Sequence, residues 1–171
     1  MNKLDLTKLY DLAGDQVLAL ESALFSFNKL LAADYEMKFF FENQLIPAAD
    51  KKRIFDEAFS DRPEIFRALV HLLIDNKLEK SVPELADSFS RLITEKSGVV
   101  FVQVRSAFAL DKKDRELIGG LVGGQSQIRE ERDPRLLAGF TFLTSDGRYF
   151  DGTLVGQVKK MKEELSYAGK N

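Results

Sequence analysis

The hydrophobic period of this 171-residue chain changes once, near Gly98, and that change dictates two kinds of structure. Before it, apolar residues recur every three or four positions, as one face of a helix requires; after it they alternate, as a half-buried strand requires. Val17, Leu20, Leu24, Phe27 and Leu31 form one stripe of a helix about 25 Å long at 1.5 Å per residue. Shorter helices are expected over 4–13 and 36–42. Pro47 ends the second, because proline lacks a donor and disfavours helical geometry in the residue before it. A helix over 50–59 comes next. Asp61, cap-like and two residues ahead of Pro63, predicts a helix over 63–76 with apolar residues around more than half its circumference. Ser81 and Glu84 have capping-box spacing and predict a helix to Ser97, with Leu85, Phe89, Leu92 and Ile93 on one face and Gly98 as its left-handed stop.

Beyond Gly98, Val100, Val102, Val104, Phe108 and Leu110 share one face of a predicted strand, with Gln103 and Arg105 on the other. A helix over 112–122, a polar edge strand over 125–130 and a strand begun by Phe140 and Phe142 follow. Asp146-Gly147 supplies the turn of a two-residue hairpin. The last helix, 153–168, carries Leu154, Val158, Met161 and Leu165 on one stripe. The chain therefore reads as mostly α, a helical bundle over 1–98 followed by a small α+β domain over 99–171. Residues 1–98 hold 13 basic and 17 acidic side chains, a net of −4; residues 99–171 hold 12 and 10, a net of +2. The halves differ in sign as well as in period.

Composition narrows the chemistry. With 44% hydrophobic residues the chain buries a full core, and without cysteine it has no disulfide, thiolate ligand or cysteine nucleophile. One histidine excludes a His-rich metal site. A net charge of −2 gives no general attraction to phosphate backbones, so no nucleic-acid partner is expected. No apolar run approaches the roughly 20 residues of a membrane span, and the amino terminus has no secretory pattern, so the chain is expected to stay in the compartment where it is made.

The residues that could carry catalysis each have a plainer reading. Gly119-x4-Gly124-Gln125-Ser126 has nucleotide-loop spacing but glutamine in place of the phosphate-neutralising lysine, and a helix precedes it where a strand should. It reads as a helix end breaking into a glycine turn. His71, opposite the main stripe of its helix, reads as solvated surface. Glu130, Glu131 and Asp133 are interleaved with Arg129, Arg132 and Arg135, a pattern of local ion pairs. Phe39, Phe40 and Phe41 span about 200° of a helix, which places two in the core and leaves a third partly exposed. No catalytic residue, metal or cofactor is expected.

Two carboxy-terminal segments carry a family resemblance. Asp133-Pro134-Arg135-Leu136-Leu137-Ala138-Gly139-Phe140, followed by Asp151-Gly152-Thr153-Leu154-Val155-Gly156-Gln157-Val158, resembles the signature of the F-type ATP synthase delta subunit family, whose mitochondrial equivalent is the oligomycin-sensitivity-conferring protein. There an Asp-Pro-x-Leu-Ile-Gly-Gly run leads into a strand and Asp-Gly-Ser opens the last helix; here Ala138 replaces the first glycine and Thr153 the serine. The resemblance continues through 66–78, the strand from Val99, Phe40 to Asn43 and Leu9 to Ala13.

The resemblance implies a six-helix bundle and a small α+β domain acting as a non-catalytic joint of the peripheral stalk. The bundle would hold the amino-terminal helices of alpha subunits, and the tail would grip the carboxy-terminal ends of b subunits. The joint would resist rotor torque during ATP synthesis coupled to ion transport. It would be present once per complex, at the cytoplasmic face of the bacterial cell membrane, and reach the membrane only through the complex. An apolar furrow for a partner helix could be walled by Tyr10, Ala13 and Val17 and by Ala86, Phe89, Ser90 and Ile93, positions that equally fit a core. Met161 and Leu165, with the hairpin at Asp146-Gly147, are the candidate b-subunit anchors, unless the last helix simply covers the sheet. An adaptor unrelated to ATP synthase, or an enzyme using His71 or the acidic cluster, are the competing readings.

Overall fold

Asp5 opens the first helix by accepting the N–H groups of Thr7 and Lys8 at 3.1 and 3.2 Å, two donors that a helix start leaves unpaired. The structure, a computed structural model, describes residues 5–168, with side chains through residue 163. Helix α1 runs Leu6–Ala13; the expected start at Leu4 lies outside the described residues. Gly14, at φ +47°, turns the chain through a 3-10 segment, Gly14–Gln16, into α2, Val17–Ala33. Asp34 caps α3, Tyr35–Glu42, by accepting from Met37 N–H at 3.0 Å.

Prolines start the next two helices, where a missing donor costs nothing. Pro47 precedes α4, Ala48–Ala58, and Pro63 precedes α5, Glu64–Asp75. Asp61 is not the cap the sequence suggests; it lies 3.8 Å from the Arg62 guanidinium, and α5 has no side-chain cap. The capping box at Ser81 and Glu84 is also not formed. A 3-10 turn, Glu79–Ser81, feeds directly into α6, Val82–Ser97, and Ser81 Oγ donates back to Leu78 O at 2.6 Å. The amino-terminal part thus holds more helical segments than the six expected, because two 3-10 turns join α1–α6. The chain as a whole is mostly helical, with one four-stranded sheet near its carboxy terminus.

It divides into two compact units, residues 1–93 and 94–171. The first is organised around Phe27, 1% exposed. Phe41, Phe55, Phe59 and Phe66 meet its ring edge-on, with centroids at 5.0, 5.4, 5.4 and 5.9 Å. Such pairs add about 0.5–1.5 kcal/mol each beyond burial of area. All five stripe positions of α2 are buried. Two polar contacts are buried with them: Lys51 Nζ on Glu79 Oε1 at 2.6 Å, and Ser90 Oγ donating to Glu21 Oε1.

Gly98, at φ +71°, breaks α6 and releases β1, Val99–Ser106. Helix α7, Lys112–Val122, is the crossover that a parallel pair needs, and it delivers β2, Gln125–Arg132, parallel to β1 on the sheet edge. Strand β3, Phe140–Thr144, pairs antiparallel with β1, and β4, Tyr149–Asp151, with β3, so the order is β2-β1-β3-β4. Val100, Val102, Val104, Phe140 and Phe142 face Ile118 and Val122 of α7, with Leu110 closing the core. Phe108 does not join them. The strand ends at Ser106, and Phe108 is 74% exposed. The β3–β4 turn has three residues rather than two. Gly147 N–H donates to Thr144 O and Thr144 N–H to Arg148 O, both at 2.9 Å, with Gly147 at φ +90°, the geometry of a type I turn closed by a glycine bulge. Helix α8, Leu154–Ala168, is the last element.

Phe27→Ala should destabilise the chain by about 3–5 kcal/mol, since five rings share the site and cannot collapse into it; urea unfolding followed by circular dichroism measures it. Glu79→Ala should cost a similar ~3–5 kcal/mol by stranding the Lys51 ammonium, whereas replacing Lys51 and Glu79 together by Met and Leu should restore most of it.

Candidate docking surfaces

The expected furrow is absent from the surface. Ala13, Val17, Ala86, Phe89, Ser90 and Ile93 are buried within the chain, and Tyr10 is half-buried. Their periodicity reports packing inside the first unit. Ser90 spends its hydroxyl on Glu21 of α2 and on Ala86 O at 3.0 Å, so it ties α6 to the core.

Exposed apolar area lies elsewhere in that unit. Tyr35 and Phe39, one turn apart on α3, stack with centroids 6.4 Å apart, and Leu45, 92% exposed, stands beside them. They line a groove of about 460 Å³ together with Lys38, Glu42 and Lys80. Of the three consecutive phenylalanines, Phe41 is buried, Phe40 half-buried and Phe39 exposed, because adjacent helical positions point about 100° apart. Leu12 on α1 and Leu72 on α5 are exposed as well. The sequence signal for Tyr35 and Leu45 was weak: neither belongs to a long apolar stripe.

In the second unit the root of α8 is tightly built. Thr153 caps the helix: its Oγ1 accepts Gly156 N–H at 3.0 Å and donates to Asp151 Oδ1 at 2.7 Å, while its N–H also donates to Asp151 Oδ1 at 3.0 Å. These bonds, the hydroxyl first, hold the Asp151 carboxyl below the usual carboxylate range. Farther along, Leu154, Val155, Val158 and Met161 are exposed. Leu154, Val158 and Met161, four and three residues apart, share one helix face, with Val155 at its edge. That face does not cover the sheet. Met161, a candidate anchor, is 62% exposed; the Leu165 side chain lies outside the described residues. The hairpin at Asp146 and Gly147 is exposed, and Arg148 ties it to the end of α7 by donating to Val122 O at 2.7 Å.

The residues weighed for catalysis are engaged in structure. His71 is half-buried rather than solvated, with Nε2 2.9 Å from Asp56 Oδ1. Glu130 accepts Leu110 N–H at 2.9 Å and the Arg115 guanidinium at 2.6 Å. Glu131 lies 3.7 Å from Arg105. Asp133 takes Arg135 Nε and Nη2, each at 2.8 Å, and Arg135 N–H at 3.1 Å. Gly123 and Gly124 adopt φ +73° and +67° as α7 ends. Among the described residues no group of three or more His, Cys, Asp or Glu could hold a metal ion.

Comparison with known proteins gives a consistent result. A family model described as ATP synthase delta (OSCP) subunit matches residues 7–165. ATP synthase subunit delta of Natranaerobius thermophilus is 28% identical over 147 residues, covering 82% of this chain and 82% of that protein. The subunit delta of Moorella thermoacetica is 26% identical over 167 residues, covering 94% and 93%. A chain in the cryo-EM structure of the Toxoplasma gondii mitochondrial ATP synthase hexamer shares the fold, with a TM-score of 0.63 at 14% identity over 94% of both chains.

The turn at Asp133 lies within the matched stretch and has a measurable signature. The Arg135 guanidinium, then its N–H, hold Asp133 down at about 2. A carbon-13 NMR titration should find it there, and Arg135→Gln should return it toward the ordinary ~3.9. Because the folded value is the lower one, this turn's support for the fold is present above the unfolded pKa and is lost as the pH falls toward 2.

Proposed function

The chain belongs to the ATP synthase delta (OSCP) subunit family, and on that premise we propose that its two units dock two different partners in the peripheral stalk. It is a non-catalytic subunit of the synthase. The match over 7–165 excludes the unrelated adaptor, and the enzyme reading loses its motive. In our reading the bundle of α1–α6 takes the amino-terminal helices of alpha subunits, and the tail over 99–171 takes the carboxy-terminal ends of b subunits. One copy serves each complex, at the cytoplasmic face of a bacterial membrane. No helix among the described residues is long and apolar enough to cross a membrane; in the stalk reading, attachment runs through the partners.

The observation that carries the tail's role is the bare stripe of α8. Four large apolar side chains on one face of a surface helix, exposed in the chain alone, form the half of an interface that a partner helix completes. Lys159, Lys160, Lys162 and Glu163 flank it and set register more than affinity. For the bundle, the groove of Tyr35, Phe39 and Leu45 and the exposed Leu12 and Leu72 support docking of amphipathic helices. They replace the buried positions as the surface to test.

Val158→Asp and Met161→Asp in the full chain should each weaken recovery of b subunits by about tenfold or more, the size expected when a central apolar anchor is lost. Recovery of alpha subunits should be unchanged, and ATPase activity should leave the membrane with the head. Unchanged b recovery would move the contact off α8. Failure of the unaltered chain to recover either partner would remove the stalk reading.

A further inference from the structure

Residues 138–140 and 152–154 are laced together by backbone bonds on both sides of one glycine pair. Gly152 N–H donates to Phe140 O at 3.0 Å and Leu154 N–H to Ala138 O at 3.2 Å, while Ala107 N–H donates to Gly139 O at 3.3 Å. The approach is so close that a side chain at either glycine would force its neighbours to move. A Cβ on Gly139, already at φ +82°, would sit 2.3 Å from Gly152 O; one on Gly152 would sit 2.6 Å from the Phe150 ring. Gly156, in the first turn of α8, faces a side chain instead of backbone: its Cβ would lie 2.6 Å from the Asp151 carboxylate, which would have to swing aside. Ala138 stands where the family pattern has the first glycine and is not among the residues at positive φ, so it fits without strain.

A helix that only needed to be joined to the sheet could leave through an ordinary loop. This one leaves with its first turn tied down: Leu154 N–H is bonded to Ala138 O just ahead of β3, and its Thr153 cap is bonded to the Asp151 carboxylate at the end of β4. We propose that Asp151, Thr153 and the glycines 139, 152 and 156 are positioning residues that clamp the root of α8 and hold the helix at one fixed direction to the sheet. The apolar face of α8 is thereby presented at a set angle, and a load on its far end is passed to the sheet instead of swivelling at the root. What the lever is for rests on the stalk reading above; that it is clamped does not.

The chain has no cysteine, so spin labels attach cleanly at Gln103→Cys on β1 and Lys159→Cys on α8, both exposed. Pulsed electron–electron distance measurement on the doubly labelled full chain should give one narrow distribution. Thr153→Val keeps the shape and removes the hydroxyl, raising the population of an unclasped first turn by roughly fivefold, the size of a lost cap; the distribution should broaden while the melting of the sheet stays cooperative. Thr153→Ser keeps the hydroxyl and should stay narrow. Gly156→Ala improves intrinsic helix propensity, yet by displacing the Asp151 carboxylate it should shift or broaden the distance. A distribution as narrow and as placed in Thr153→Val and Gly156→Ala as in the parent overturns the clamp, as does a Thr153→Ser variant as broad as Thr153→Val. Should Thr153→Val not fold, a Gly156→Ala distribution identical to the parent's, or a Thr153→Ser distribution broader than the parent's, overturns the clamp. Recovery of b subunits by the unlabelled parent tests the stalk reading separately, since the distance distribution answers without any partner present.

Discussion

Strand β1 pairs on both edges, parallel to β2 through eight registered positions and antiparallel to β3 through five. The rest of the second unit follows from that. A parallel neighbour demands a long crossover, and α7 is that crossover; its Ile118 and Val122 then cover the face on which Val100, Val102 and Val104 stand. The other edge fixes β3, and β3 fixes where Gly139 meets Gly152. The strand can start where it does only because Gly98 accepts a positive φ directly after α6. Thr94 Oγ1 then bonds Val99 O at 2.8 Å and the Ser145 hydroxyl at 2.7 Å, and Ser145 Oγ accepts Phe101 N–H at 3.1 Å, which continues the β1–β3 pairing past its last registered pair.

The first unit solves a different problem. Six amphipathic helices have many nearly equivalent ways to pack, and apolar area alone does not choose among them. Directional contacts do: the edge-on rings about Phe27, the Lys51–Glu79 pair and the Ser90–Glu21 bond each accept only one geometry. Burying these polar groups adds little net stability, because desolvation offsets most of the attraction. A Lys51 ammonium left without Glu79 in an apolar core is costly in a way that a misplaced leucine is not.

Periodicity made most of the elements legible and misled about surface. Val17, Leu20, Leu24, Phe27 and Leu31 read as a buried stripe and are one. Leu154, Val158 and Met161 have the same spacing and are exposed. The pattern states that a face will be covered, without stating whether the cover belongs to the same chain. For the same reason Ala86, Phe89 and Ile93 could be read as a furrow when they are core. Asp61 lies two residues ahead of Pro63, the cap position of α5, and Ser81 cannot cap because a capping residue must itself be extended while Ser81 belongs to a 3-10 turn. Phe108 leaves its stripe because alternation does not show where a strand stops pairing, and β1 ends at Ser106. The clamp at α8 was invisible in kind. Gly139 and Gly152 are thirteen residues apart, and only the β3–β4 hairpin brings them together.

A joint that carries load has a requirement that an ordinary binding surface lacks. Affinity for a partner can be supplied by apolar area on α8 alone, and any flexible tether would preserve it. Torque, by contrast, is lost at the softest point between two attachments, and a helix emerging through a loop is soft at that loop. The close backbone approach at Gly139 and Gly152 removes the softness where it matters, since atoms already at van der Waals contact cannot rotate past one another without breaking the bonds that lace 138–140 to 152–154. Substitution of serine by threonine at the cap, and of glycine by alanine at residue 138, leaves this intact: Thr153 retains the hydroxyl, and residue 138 contributes a carbonyl that alanine presents as well as glycine does. The positions that tolerate change are those where only a backbone group or a hydroxyl is required, and the one that most requires glycine is 139, where φ is positive and a second backbone fills the space a Cβ would take.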